Sequence, residues 1–206
     1  MIEVRSSYVV TMAAAEGDLV DVWRQGRESV WPEAGWNGRI QQMLHGHAQQ
    51  SLFVWSSEWN SLSDWEAAMA RARALPAHVE WSRAIDSRRL YGPKVEAFTI
   101  LEPSGPLDAT PGRLEVRSAY TVRTERRELA RALMRRAGEL AGWSGQNQEV
   151  LVGGNTGSNF VWSSTWAGLG DWEQAMAAGD DELEGWFADW VALVDQGGTR
   201  EIYRNQ

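Results

Sequence analysis

The stretch FVWSSEWNSLSDWEAAMA at Phe53–Ala70 returns as FVWSSTWAGLGDWEQAMA at Phe160–Ala177. Working outward, residues 34–70 and 141–177 align without a gap and are identical at 21 of 37 positions. Further out, EVRSSYVV at Glu3–Val10 matches EVRSAYTV at Glu115–Val122, and SRRLYG at Ser87–Gly92 is set against TREIYR at Thr199–Arg204. A period of about 100 residues is far longer than that of a solenoid repeat, so the chain reads as two homologous units. Between them EPSGPLDATPG is rich in Pro and Gly and reads as a linker. The expected organisation is a first unit over 1–102, a linker over 103–112 and a second unit over 113–206.

Both units predict the same order of elements. Glu3–Thr11 alternates, with Val4, Ser6, Tyr8 and Val10 on one face and Arg5, Ser7 and Val9 on the other, which predicts a strand. Asp18–Val30 places Leu19, Val22, Trp23 and Val30 at helical spacing, and Thr124–Leu140 is its counterpart. Arg39–His47 and Leu52–Trp59 read as two strands joined by a short polar turn. A second helix is expected from Asn60 or Ser61, broken at Pro76 and continued over Ala77–Asp86. Arg88–Tyr91 and Lys94–Leu101 return to strand character. Each unit is therefore β-α-β-β-α-β, a ferredoxin-like arrangement in the α+β class. One face of each sheet carries helices. The other is expected to be apolar and covered by the second unit's sheet. Arg5 and Arg117 fall on that covered face, each two residues from a glutamate, Glu3 and Glu115, so an ion pair is expected at the interface.

The chain has 206 residues, thirteen Trp, no Cys and a formal net charge of −8. Without Cys, disulfides, thiolate catalysis and Cys-ligated metal sites are excluded. The acidic balance argues against nucleic acid as partner, because a phosphate backbone would be repelled. No apolar run reaches the roughly 18 residues of a membrane helix. The opening MIEVRSSYVV lacks a basic region followed by an apolar stretch, so no signal peptide is expected and a cytoplasmic location is. A single Lys beside nineteen Arg points to a GC-rich, bacterial coding bias.

The phrase EWNSLSDWEAAMA after a Trp-rich strand, within a duplicated β-α-β-β-α-β frame, resembles the NIPSNAP and antibiotic-biosynthesis-monooxygenase branch of the dimeric α+β barrel superfamily. The resemblance covers nearly the whole chain and implies two sheets packed face to face, here within one chain, with a cavity between sheet and helices in each unit. It also implies a range of activities. These are cofactor-independent oxygenation of phenolic rings, polyketide cyclisation, lactone isomerisation, and haem binding or degradation.

All three His lie in the first unit. His45 and His47 share a strand face and are weak candidate metal ligands. His78, on the second helix, is a candidate general base, and the resemblance makes it a candidate haem ligand. Tyr8 and its counterpart Tyr120 lie on the helix-facing side of their strands, where a phenol could orient a ligand or pass a proton. Ten of the Trp form five repeated pairs, among them Trp59/Trp166 and Trp81/Trp190, and repeated aromatics are expected to serve packing. Trp23, Trp31 and Trp186 are unpaired, and a fused duplicate is free to specialise one cavity with such residues. GGNTGSN at Gly153–Asn159 lacks the Lys-Ser/Thr of a phosphate loop, and six Arg between Arg123 and Arg136 read as a solvated helix face facing DDELE at Asp180–Glu184.

The expected function is thus a small-molecule enzyme that oxygenates, cyclises or isomerises an apolar or aromatic substrate, as in natural-product biosynthesis, with no cofactor. His78 and Tyr8 are the candidate catalytic residues; Trp23, Trp31, Trp59, Trp81, Tyr120 and Trp186 are candidate ligand contacts. Haem binding through His78 and non-catalytic ligand binding are the alternatives, and the chain is expected to act as a monomer or homodimer.

Overall fold

A computed structural model describes residues 1–15, 17–46, 52–140, 145–153, 160–179 and 181–206. Eight antiparallel strands close into one barrel: β1 (Ile2–Val10), β2 (Arg39–His45), β3 (Leu52–Trp59), β4 (Arg89–Leu101), β5 (Leu114–Thr121), β6 (Gln146–Val152), β7 (Phe160–Trp166) and β8 (Gln196–Asn205). Their order around the barrel is β1-β3-β2-β8-β5-β7-β6-β4. Each half supplies four neighbouring strands. The halves join where β2 pairs with β8, Gln41 opposite Asn205, and where β4 pairs with β6, Thr99 opposite Glu149. Closure removes the free edges that two separate four-stranded sheets would expose.

The helices lie outside the barrel. In the first half these are α1 (Met12–Ala15), α2 (Leu19–Ser29), α3 (Trp31–Ala34), α4 (Leu62–Arg73) and α5 (Pro76–Asp86). In the second half they are α6 (Arg127–Glu139), α7 (Leu169–Ala177) and α8 (Asp181–Leu193). Ser61 caps α4, its hydroxyl accepting from the Asp64 backbone N–H. The break at Pro76 follows from the residue itself: proline has no N–H to donate inside a helix, so it starts α5 instead of continuing α4. No helix among the described residues is long and apolar enough to cross a membrane.

The side of each strand that meets the helices is apolar, and Tyr8, Val10, Ile40, Phe53 and Trp55 join one core cluster. The side that faces into the barrel is polar, which corrects the expectation of an apolar covered face. Glu3 and Glu115 are fully buried there, beside Arg5, Arg39, Arg117, Gln41, Gln148, Ser56 and Ser163. The ion pairs expected from sequence are present. Arg5 meets Glu3 at 2.8 Å and Arg117 meets Glu115 at 2.7 Å. The same arginines also cross the barrel, Arg5 donating to Gln148 at 2.5 Å and Ser163 at 3.2 Å, and Arg117 donating to Gln41 and to Ser56. Arg39 lies between the two glutamates, 2.7 Å from Glu3 and 3.3 Å from Glu115. The guanidinium planes of Arg5 and Arg117 cover the rings of Phe98 and Tyr203, 4.1 and 4.0 Å from the centroids. A polar interior is tolerable because each charge is paired and hydrogen-bonded: the two glutamates bind three arginines, and Arg39 also lies 3.7 Å from the partly exposed Glu58.

Two smaller corrections concern the second half. On the arginine-rich face of α6, Arg127 and Arg131 both reach Glu149 of β6, and among the described residues none of 181–184 forms an ion pair with that face. The end strands also correspond differently from the match of SRRLYG to TREIYR. Opposite Ser6 stands Val95, opposite Ser118 stands Arg200, and the Phe98 ring takes the place that Tyr203 takes in the other half. Arg88–Tyr91 and Lys94–Leu101 form parts of one long strand, β4, so its extra residues shift the match.

The surrounding guanidinium groups hold the Glu3 carboxyl well below the usual carboxylate range against the opposing effect of burial, and Glu115 moves the same way. A carboxylate depressed in the folded state stabilises at pH above its unfolded value, and that stability is lost as pH falls. Urea melts of the wild type are therefore expected to weaken steeply below about pH 4.5, and less steeply in Glu3→Gln. At pH 7 Glu3→Gln is expected to cost about 3–5 kcal/mol, since it leaves buried arginines short of charge.

Candidate functional site

The space between barrel and helices is filled differently in the two halves. In the first half, α2 and α3 bring Trp23 and Trp31 into the core, both essentially inaccessible to solvent. Trp31 stacks on Trp55 with ring centroids 4.1 Å apart and planes 5° from parallel. Trp23 meets Tyr8, Trp55 and Trp81 edge to face at 5.1–6.1 Å. Gly26 lets Trp81 approach α2: a Cβ there would lie 2.3 Å from the Trp81 Nε1. What remains is a cavity of about 240 Å³ whose lining includes Tyr8, Trp65, Arg73, His78, Trp81 and Arg89.

The structure thus brings His78 and Tyr8 to one cavity. The His78 ring is half-buried, 3.4–3.5 Å from the Ser82 hydroxyl and tilted against Trp81. Burial, helped by the Arg73 charge, lowers its pKa, which favours a neutral imidazole at pH 7. Burial pushes the Tyr8 phenol up to about 12. His45 is exposed at the end of β2, and His47 lies outside the described residues, as does most of the glycine-rich stretch 153–159. No group of three or more metal-ligating side chains occurs among the described residues.

The second half is filled with smaller side chains at α6, whose buried positions are Ala130, Met134 and Ala137. Here α8 meets α6 through Trp186: its indole N–H donates to the Leu133 carbonyl at 2.7 Å, and its ring stacks on Trp190. In the first half α4 packs on α5, and in the second α7 and α8 both line open space. A groove of about 900 Å³ opens between them. Its apolar walls are Trp172 and Met176 of α7 and Leu183, Phe187 and Val191 of α8, and its floor is Tyr120, Trp162 and Arg200 from the barrel. A second space of about 250 Å³ shares Tyr120, Phe187, Val191 and Arg200 with the groove and is lined further by Ser118, Trp190 and Gly198. Gly198 is required there, because a Cβ would stand 2.7 Å from the Tyr120 ring. Tyr120 lies edge-on to Trp190 at 5.2 Å, and burial raises its pKa, with Ser118 and Arg200 pulling the other way. Phe187 and Val191 are strongly exposed for residues of their kind, at 43% and 57%.

Of the aromatic residues singled out in the sequence, Tyr120 lines this groove and Trp81 the first cavity. Trp23, Trp31 and Trp186 are packed in the two cores, and the half-buried Trp59 donates its indole N–H to Ser57. None of these four lines a cavity described above. Sequence reasoning missed Arg200, Phe187 and Val191. The signal was available only after the end strands were placed in register, since Arg200 then stands where the first half has Val95.

No family model matches the chain, and no curated protein matches it in sequence. Solved structures do match its shape. A candidate monooxygenase from Fusobacterium nucleatum aligns over 99% of this chain and 91% of its own, with a TM-score of 0.66 at 8% identity. An anthrone oxidase-like protein aligns over 100% and 91%, with a TM-score of 0.56 at 12% identity. A protein named as a candidate chlorite dismutase aligns over 100% and 94%, with a TM-score of 0.54 at 14% identity. The fold is the dimeric α+β barrel. At such low identity these neighbours share the barrel and its helical layer, and the chemistry has to be argued from the side chains of this chain.

The different filling of the two halves has a measurable consequence. Trp31→Ala is expected to destabilise the protein by about 3–5 kcal/mol in denaturant melts, because it empties a closed core. Phe187→Ala, at the open lip of the groove, is expected to change stability by less than about 0.5 kcal/mol.

Proposed function

We propose that the protein is a small-molecule enzyme of the α+β barrel type that takes an apolar or aromatic substrate into the groove between α7 and α8. Oxygenation, cyclisation or isomerisation without a resident cofactor is the chemistry proposed. The observation that carries this reading is the groove itself: a concave apolar space ends on a phenol, where the first half packs indoles. The names of the monooxygenase and anthrone oxidase-like neighbours are in keeping with it.

In this reading Tyr120 is the group that touches substrate. Its raised pKa keeps it a neutral phenol at physiological pH, so its Oη can donate a hydrogen bond to a substrate oxygen or return a proton to it. The apolar walls exclude water from that bond and hold a flat ring by contact alone. One chain closes the whole barrel, which supports a monomer as a sufficient unit.

The residues fit haem poorly. His78 faces a cavity of about 240 Å³, below the roughly 300 Å³ at which pockets for drug-sized ligands begin. The roomier groove has no His in its lining. Added haemin is expected to give no Soret band that depends on His78, and such a band would restore the haem reading.

The shared cavity of Tyr8 and His78 favours a second placement of the same chemistry, in the first half, with His78 as base. The two placements separate by substitution. With anthrone as probe, protein-dependent oxygen uptake is expected to fall by about a hundredfold or more in Tyr120→Phe and to be nearly unchanged in Tyr8→Phe. The reverse pattern would move the site to the first half. Absence of any protein-dependent uptake or binding would count against the oxygenase reading.

A further inference from the structure

We infer that the groove between α7 and α8 selects ligands that carry a carboxylate on an apolar or aromatic body, and that Arg200 is the residue that binds it. This rests on the groove being the ligand site.

The first observation is positional. Val95 and Arg200 occupy the same register in the two halves, each opposite a serine on the neighbouring strand, Ser6 for Val95 and Ser118 for Arg200. The barrel interior keeps its Glu-Arg pattern in both halves, so this pairing site is equivalent in frame but not in charge. At this register the second half places a cation on the groove floor, whereas the barrel cation of the first cavity, Arg89 of β4, is already paired with Asp86 at 3.0 Å.

The second observation is what Arg200 does there. Its guanidinium carbon is 5.2 Å from the centre of the Trp172 ring, within the range of a cation–π contact. Among the described residues no carboxylate lies within ion-pair distance of it, whereas Arg5, Arg39, Arg89 and Arg117 of the strands and Arg127 and Arg131 of α6 each have one. A guanidinium held over an aromatic ring keeps its planar fork of donors available, and that fork matches both oxygens of a carboxylate.

The third observation is the distribution of charge along the groove. The acidic side chains of the lining, Glu173 and Glu184, belong to the helices α7 and α8, and Arg200 belongs to the barrel strand β8. An anion is repelled from the helices and drawn to the strand. The Ser118 and Tyr120 hydroxyls stand on the adjoining strand β5, in the chamber Arg200 also lines, and give the ligand's remaining oxygens neutral donors. The apolar body then lies on Trp162, Met176, Phe187 and Val191. A cation beside an extended apolar wall, with hydroxyls on the adjoining strand, describes an amphipathic acid better than a neutral hydrocarbon.

The test compares two probes of one shape, 2-naphthoate and the neutral 2-naphthamide, by quenching of indole fluorescence at pH 7. The wild type is expected to bind naphthoate more tightly, with an affinity that falls as salt is added. Arg200→Gln is expected to weaken naphthoate by about ten- to a hundredfold and to leave naphthamide within twofold. Arg200 is exposed, and an unchanged melting temperature of the variant confirms that folding is not the cause. Equal loss for both probes, or no loss for naphthoate, would overturn the carboxylate site and leave the groove standing. Failure of both probes to bind the wild type would overturn the groove and the carboxylate site with it.

Discussion

Everything in this molecule is built around a charged cluster sealed inside the barrel. Glu3 and Glu115 have no access to solvent, and each is held by an arginine two residues further along its own strand and by Arg39 from β2. Arg5 continues to Gln148 and Ser163, and Arg117 to Gln41 and Ser56, so each half supplies the charge and the other supplies its acceptors. Buried charges of this kind are poor sources of net stability but severe penalties when misplaced. Slipping one sheet by a residue would turn Glu and Arg toward the helices and bring Tyr8 or Val10 inside. The cluster therefore acts as a register lock between the halves.

With the register set, the outer faces are free to differ. The first half uses that freedom to fill its space, with Trp23 and Trp31 packed against Trp55 and Trp81. The second half has Ala130, Met134 and Ala137 at the buried positions of α6, and a Trp186 hydrogen bond ties α8 to α6. Between α7 and α8 a groove is left. The rigidity of the closed barrel below it keeps Tyr120, Trp162 and Arg200 on a fixed floor while the helices above carry the variable walls. This division between a stiff sheet and a permissive helical layer explains how one frame holds both a packed core and a ligand-sized space.

Much of the fold was legible because its causes are local or periodic. The alternation in EVRSSYVV assigns Glu3 and Arg5 to one face and Tyr8 and Val10 to the other, and both assignments agree with the structure. Ser61 caps and Pro76 breaks for reasons carried by single residues. The inner face was misjudged because its polar character depends on the partner sheet: Glu3 tolerates burial only with Arg39 and Gln148 supplied from elsewhere. The unpaired indoles were legible as an asymmetry but not as to its sense. Whether a Trp lines a void or fills one depends on how closely helices approach, and Gly26 under Trp81 shows how one missing Cβ decides that.

By itself the sequence determined the repeated β-α-β-β-α-β order, the cap at Ser61 and the break at Pro76, and the pairing of Arg with Glu on the covered face, since these follow from period, capping and residue spacing. Only the tertiary structure decided that the interior of the barrel is polar, that the open space lies in the second half, and that Arg200 stands on its floor. Those are matters of how far apart α7 and α8 stand and which strand residues face each other. Distances between segments remote in the chain are set by packing, and no local pattern encodes them.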